Sequence, residues 1–244
     1  MHNHHIARPP KGFNRIGRQL LGAALLGFCL IAPAHATAEK AARFFEDAQR
    51  RFDQNDLSGA VVQLKNALQE DNRMLAAHLL LGKALLRDGD LKAAEAAFEE
   101  ALKQGVNRAE VALPLGQIYL ILGRPEAVIE RIGTSGLPPA LQVEVLTLRG
   151  NAYFEMGNFT LATQSYNQAR ALDPQSASPI IAEIPMLLAS GQLDRAKTNA
   201  AKAIELAPKN AHAWNMYGTV KHLGSDANGA LSAYDRALTL HPAL

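Results

Sequence analysis

From residue 41 to the end of the chain, apolar side chains fall into helical stretches that come in pairs. In the first stretch of a pair they stand at relative places four, eight and eleven. After a short polar turn they resume at twenty, twenty-four and twenty-seven, and each set occupies one face of a helix. The pattern then starts again. QLKNALQED at 63–71 is followed thirty-four residues later by AFEEALKQG, and the same frame returns in SYNQARALD, NAAKAIELA and AYDRALTLH. A fixed period of this length marks an array of repeated helix pairs. Starts at Ala41, Leu75, Ala109, Val143, Ala177 and Ala211 need no insertion or deletion across six units, at 41–74, 75–108, 109–142, 143–176, 177–210 and 211–244.

Columns of small residues give the period its physical reason. Place eight holds Ala48, Gly82, Gly116, Gly150, Ile184 and Gly218. Place twenty holds Ala60, Ala94, Val128, Ala162, Ala196 and Ala230, and place twenty-seven holds Ala67, Ala101, Ser135, Ala169, Ala203 and Ala237. Small residues at eight and twenty let the two helices approach, while Leu64, Phe98, Tyr166 and Tyr234 fill the space beside them. The turns Gly89-Asp90, Gly123-Arg124, Gly157-Asn158 and Gly191-Gln192 offer a glycine able to take positive φ where the first helix closes. Pro174, Pro208 and Pro242 stand after second helices, which proline cannot continue. The expectation is an all-α solenoid of six helix hairpins.

Two units depart from the pattern. In the third, the second helix begins PEAVIERI and runs into GTSGLPPALQ at 133–142, so a loop is expected in place of its last turns. In the fifth, Ile184 occupies the small place, Ala200 the large one, and Pro185 falls inside the first helix. An interior proline costs about 3 kcal/mol if unrelieved, so the array is expected to bend or flex at these units.

Residues 1–36 read differently. Arg8, Lys11, Arg15 and Arg18 precede the apolar run LLGAALLGFCLIA, and Ala34-His35-Ala36 offers small residues for a peptidase, the three-part layout of a secretory signal peptide. Thirteen apolar residues are too few for a bilayer that needs about 20. Cleavage after Ala36 would leave residues 37–40 as a short lead into the array. It would also take the 25 basic residues to 21 against 23 acidic ones, so nothing points to nucleic acid as a partner. Cys29, the one cysteine, lies within the signal, and the bulky Phe28 beside it argues against lipidation there. His2, His4 and His5 resemble a metal tract but leave with the signal, while His212 and His222 are ten apart, not the three or four that put ligands on one helix face. No nucleophile elbow, phosphate loop or dinucleotide glycine pattern occurs, so no catalytic residue, metal or cofactor is expected.

The repeat columns resemble the tetratricopeptide repeat family, and the last unit fills all six of that family's marker places with Trp214, Gly218, Ala230, Tyr234, Ala237 and Pro242. The resemblance implies a right-handed α-solenoid whose first helices line a concave groove, with places two, five, nine, twelve and thirteen toward a ligand. Carried over, these give Phe45, Gln49 and Phe52, then Leu79, Lys83, Leu86 and Arg87, then Leu113, Gln117, Leu120 and Ile121. Next come Thr147, Asn151, Phe154 and Glu155, followed by Ile181, Leu188, Asn215, Thr219 and His222. Place twelve is apolar in five of six units, with Phe45 and Phe52 as expected exposed anchors, whereas Trp214 at place four is expected in the core. The family's clamp for peptide C-termini, built from Lys and Asn at fixed places, is matched only at Asn151.

AARFFEDAQRRFDQNDLSGAVVQLKNALQEDN, LRGNAYFEMGNF and ALDPQSASPI further resemble the tetratricopeptide proteins of the PEP-CTERM/exosortase sorting system. That resemblance implies an exported, non-enzymatic scaffold, periplasmic or associated with the outer membrane. It would bind envelope proteins or peptides, including export components of either membrane, in exopolysaccharide production and protein sorting. An assembly factor for pili, outer-membrane proteins or another polysaccharide secretion complex is the alternative. An accessory enzyme using Glu155 and Glu183 as paired carboxylates is the reading from another class. The sixth unit lacks the polar helix that covers such arrays, so Leu231 and Leu238 are expected to be exposed, through truncation or for self-association.

Overall fold

The computed structural model describes residues 31–241, with side chains from residue 37 onward. The segment carrying the basic start, Cys29 and the three early histidines lies outside the described residues. Twelve helices follow one another: α1 Ile31–Asp53, α2 Leu57–Glu70, α3 Leu75–Asp88, α4 Leu91–Gln104, α5 Arg108–Ile121 and α6 Pro125–Arg131. After the midpoint come α7 Pro139–Glu155, α8 Phe159–Leu172, α9 Ser178–Ala189, α10 Leu193–Leu206, α11 Ala211–Leu223 and α12 Ala227–Leu240. The chain is an all-α solenoid. Each odd helix packs on the next even one as a hairpin. Each odd helix also touches the next odd helix, while even helices do not meet one another, so α1, α3, α5, α7, α9 and α11 form one continuous layer.

The hairpin turn is built the same way in every unit. The residue two places before the second helix has positive φ: Asn55, Gly89, Gly123, Gly157, Gly191 and Ser225. The next residue caps that helix. Asp56, Asp90, Asn158 and Asp226 accept from the amides of Gly59, Ala93, Leu161 and Gly229 at 3.0, 3.1, 3.1 and 2.9 Å. Such caps satisfy first-turn amides that have no partner within the helix. Arg124 and Gln192, in the two irregular units, make no side-chain cap.

Close approach of the paired helices needs the small column. A Cβ on Gly82 or Gly218 would lie 2.6 Å from the ring of Phe98 or Tyr234, and one on Gly150 would strike the ring of Tyr166. The fifth unit exchanges the partners. Ile184 and Ala200 are both fully buried in one cluster, the large residue supplied by α9 and the small one by α10. Volume is thereby kept, and α9 runs unbroken over twelve residues with Pro185 inside it.

The third unit is short, and its loop differs from expectation. Helix α6 has seven residues where the other second helices have fourteen, but only residues 132–138 are non-helical. PALQ opens α7 instead, with Pro139 at the first helical position, where its missing amide costs nothing. Ser135, the small-column member of this unit, lies in the loop, as the sequence 133–142 leads one to expect. The carbonyls left open by the missing turns find arginine donors. Arg149 donates to Ile129 and Ile132, each at 3.0 Å, and Arg108 to Arg131 at 2.5 Å. Ile132 and Leu137 are buried where the lost turns would have packed.

Buried apolar residues form successive clusters along the array, from α1–α3 through α3–α7 and α7–α11. Among the described residues, no helix is long and apolar enough to cross a membrane.

Candidate functional site

The layer of odd helices opens into a groove over its C-terminal half, with a volume of about 490 Å³. Leu120 enters from α5, and α7 supplies Glu144, Thr147, Asn151, Phe154 and Glu155 at one-turn spacings. Ser178, Ile181, Ala182 and Pro185 come from α9, with Asn210 and His212 closing the far wall at the start of α11. Pro185 provides no amide for the Ile181 carbonyl, so one rung of the α9 ladder is missing at the groove wall.

Polar groups here have definite tasks. Buried Tyr166 on α8 reaches through the hairpin and donates to Asn151 Oδ1 at 2.8 Å. Burial, with the charges of Glu183 and Glu155, holds its phenol above the ordinary tyrosine range, so it remains a donor. Ser178 Oγ donates to Glu144 Oε2 at 2.9 Å. Burial raises the Glu155 carboxyl above its usual range. No lysine or arginine lines the groove. Phe154 packs tilted against Phe159 with ring centroids 6.0 Å apart, and Ile121 stands 65% exposed at the end of α5.

Of the residues expected from the repeat places, Leu120, Thr147, Asn151, Phe154, Glu155 and Ile181 meet in this groove. Gln49, Lys83 and Gln117 are exposed on the same layer but outside it, and Leu79, Leu86 and Leu113 are half-buried against the α3–α7 core. Asn215 and Thr219 are half-buried on α11, where Tyr234 donates to Thr219 at 3.4 Å. The remaining carried-over positions separate by exposure: Leu188 is half-buried against the α7–α11 cluster, and His222 is exposed.

Phe45 and Phe52 are not exposed anchors. Both are half-buried against the α1–α3 cluster, and the Arg87 guanidinium lies 4.6 Å from the Phe52 ring centroid while also donating to Asn55 at 2.8 Å. Trp214 is not core: it is half-buried, edge-on to Tyr217, and its indole N–H goes to the Pro208 carbonyl at 2.9 Å.

Glu183 is not available to pair with Glu155. It is 1% exposed and accepts from Arg170 at 2.6 Å and Asn199 at 2.9 Å, with Arg195 at 3.6 Å. That network ties α8, α9 and α10 together. Glu144, Ser178 and His212 were missed, although all three occupy place two of their units, a place the repeat geometry already turns toward a ligand. Among the described residues, no group of three or more His, Cys, Asp or Glu could hold a metal ion.

Comparison with known proteins agrees with this architecture. The family model for the tetratricopeptide repeat-like domain matches residues 32–184, and a tetratricopeptide repeat model matches 182–244. The chain belongs to the tetratricopeptide repeat family. Among solved structures, PilW, described as a widely conserved type IV pilus biogenesis factor, aligns at 18% identity and TM-score 0.65, covering 83% of this chain and 94% of PilW. Pseudomonas aeruginosa PilF aligns at 18% identity and TM-score 0.60, covering 85% and 94%. A curated relative, protein O-mannosyl-transferase TMTC1 of Homo sapiens, is 25% identical over 167 residues, 66% of this chain; the chain spans 19% of that protein. Tetratricopeptide repeat proteins bind other proteins or peptides, and this array has their architecture.

Proposed function

We propose that this chain is an exported, non-enzymatic scaffold of the bacterial cell envelope that receives a partner protein or peptide in the groove between α5 and α11. The groove itself carries the reading: apolar Leu120, Phe154 and Ile181 face a cleft whose polar residues are placed to bind and not arranged around a nucleophile. The secretory layout of residues 1–36 supports export to the periplasm or its outer-membrane face. Similarity of the repeats to those of the PEP-CTERM/exosortase system supports partners in exopolysaccharide production and protein sorting, with export components of either membrane among them. The second reading is an assembly factor for pili or outer-membrane proteins, a role compatible with the architecture shared with PilW.

The test is cross-linking inside the native host from a photoreactive residue at Phe154, followed by mass spectrometry of the captured proteins. Sorting or polysaccharide-export components should be captured, and capture should disappear when Leu120 becomes Glu. Pilus components captured there would select the second reading. Capture only from a probe on the outer helices, for example at Lys65, would overturn the groove as the partner site.

A further inference from the structure

Resting on the groove as a partner site, we infer that its occupant is an extended peptide segment presenting a lysine or arginine beside an apolar side chain. Charge complementarity decides this. Two carboxylates, Glu144 and Glu155, enter the groove from α7, and no lysine or arginine lines it, His212 being the one basic side chain on its far wall. Three acids elsewhere on the array show the pairing that these two lack, Glu95–Arg124, Glu99–Arg131 and Asp226–Lys221. Among the described residues, Glu144 has only the Ser178 hydroxyl and Glu155 has neither ion pair nor hydrogen bond.

The two acids stand eleven residues apart on one helix, about three turns, so they bracket the apolar centre. A rise of 1.5 Å per residue puts their backbones about 16 Å apart, the reach of about five extended residues. Between them, Asn151 spends its Oδ1 on Tyr166, and no acceptor among the described residues meets its Nδ2, which can therefore donate to a peptide carbonyl. Leu120, Phe154 and Ile181 supply the apolar contact. This is the reverse of a clamp for a peptide C-terminus. A free carboxylate would meet two like charges here with no lysine or arginine to receive it.

The measurement is fluorescence-anisotropy binding of three labelled peptides to the purified chain. All share the frame Gly-X-Leu-Phe-Leu-X-Gly, capped at both ends, with X as Lys, Gln or Glu. The Lys peptide should bind at least about tenfold more tightly than the Gln peptide and more tightly still than the Glu peptide. In the double variant Glu144→Gln/Glu155→Gln the Lys and Gln peptides should become equal, with the helical circular dichroism unchanged. Equal binding of all three to the unsubstituted protein would overturn the charge assignment while leaving the groove as a binding site. A preference for Lys that survives the double variant would overturn it too, by placing the charge recognition elsewhere. If no peptide binds, the proposal falls, and cross-linking from Phe154 then judges the groove independently.

Discussion

At the scale of single residues, glycine serves two separate purposes in this array, and substitution tells them apart. Gly150 makes room: an added Cβ would meet the Tyr166 ring, so Gly150→Ala should cost about 1–3 kcal/mol by overpacking in chemical denaturation. Gly157 meets nothing within 4 Å but holds φ at 73°, so Gly157→Ala should cost about 1 kcal/mol through the backbone alone. The two losses should add in the double variant if their causes are independent. Titrating caps make a second prediction. The Arg51 guanidinium and the Gly59 amide hold Asp56 below the ordinary aspartate range, and the Gly229 amide and Lys221 do the same for Asp226. A depressed folded pKa means the contribution is complete above the unfolded value near 3.8 and is lost as pH falls below it. Asp56→Asn and Asp226→Asn keep the capping oxygen without the titration, so melting temperature should fall less steeply between pH 5 and pH 2.5.

At the scale of elements, the irregular units are compensated rather than broken. Ile184 and Ala200 exchange the large and small places of the regular pair, which makes a double-mutant cycle informative. Ala200→Tyr alone should overpack and lose about 1–3 kcal/mol, and Ile184→Gly alone should open a cavity and lose about 2–5 kcal/mol. Together they restore the Gly–Tyr pair of the fourth and sixth units, and the combined loss should be well below the sum. Helix α6 is compensated by arginine. Arg149→Met keeps much of the stem but abandons the carbonyls of Ile129 and Ile132, at a cost of about 1–3 kcal/mol for each one left buried without a donor. Hydrogen exchange should then rise first in residues 125–138, the shortest helix and its loop.

For the molecule as a whole, the array has no central core, because each cluster is shared only between neighbouring hairpins. Helix α12 therefore has one face without a following helix among the described residues, and there Leu231 is 62% and Leu238 46% exposed. Seven residues apart, they lie on the same side of α12. Sedimentation velocity should show association that strengthens with concentration and disappears in the double variant Leu231→Glu/Leu238→Glu. A monomer at all concentrations would show that this face is simply tolerated in water.

Repeat length, hairpin count, the turn glycines, the small columns and even the exposed leucines of α12 were legible from residue spacing, because each depends on contacts within one unit or with its neighbour. Local spacing could not show how the irregular units were resolved. The places of Ile184 and Ala200 could be read but not that the two bury together and leave α9 unbroken, and the end of α6 reads as open until Arg149, seventeen or more residues onward, reaches its carbonyls. The groove was legible only in part, since the repeat places named Leu120, Asn151 and Phe154 but put Phe45 and Phe52 forward as the anchors. Tertiary packing made that choice by laying Arg87 against Phe52 and leaving Glu144 and Glu155 in a cleft without a lysine or arginine. Helical spacing sets which face a side chain shares, whereas the charge it meets across the groove depends on residues one or more units away.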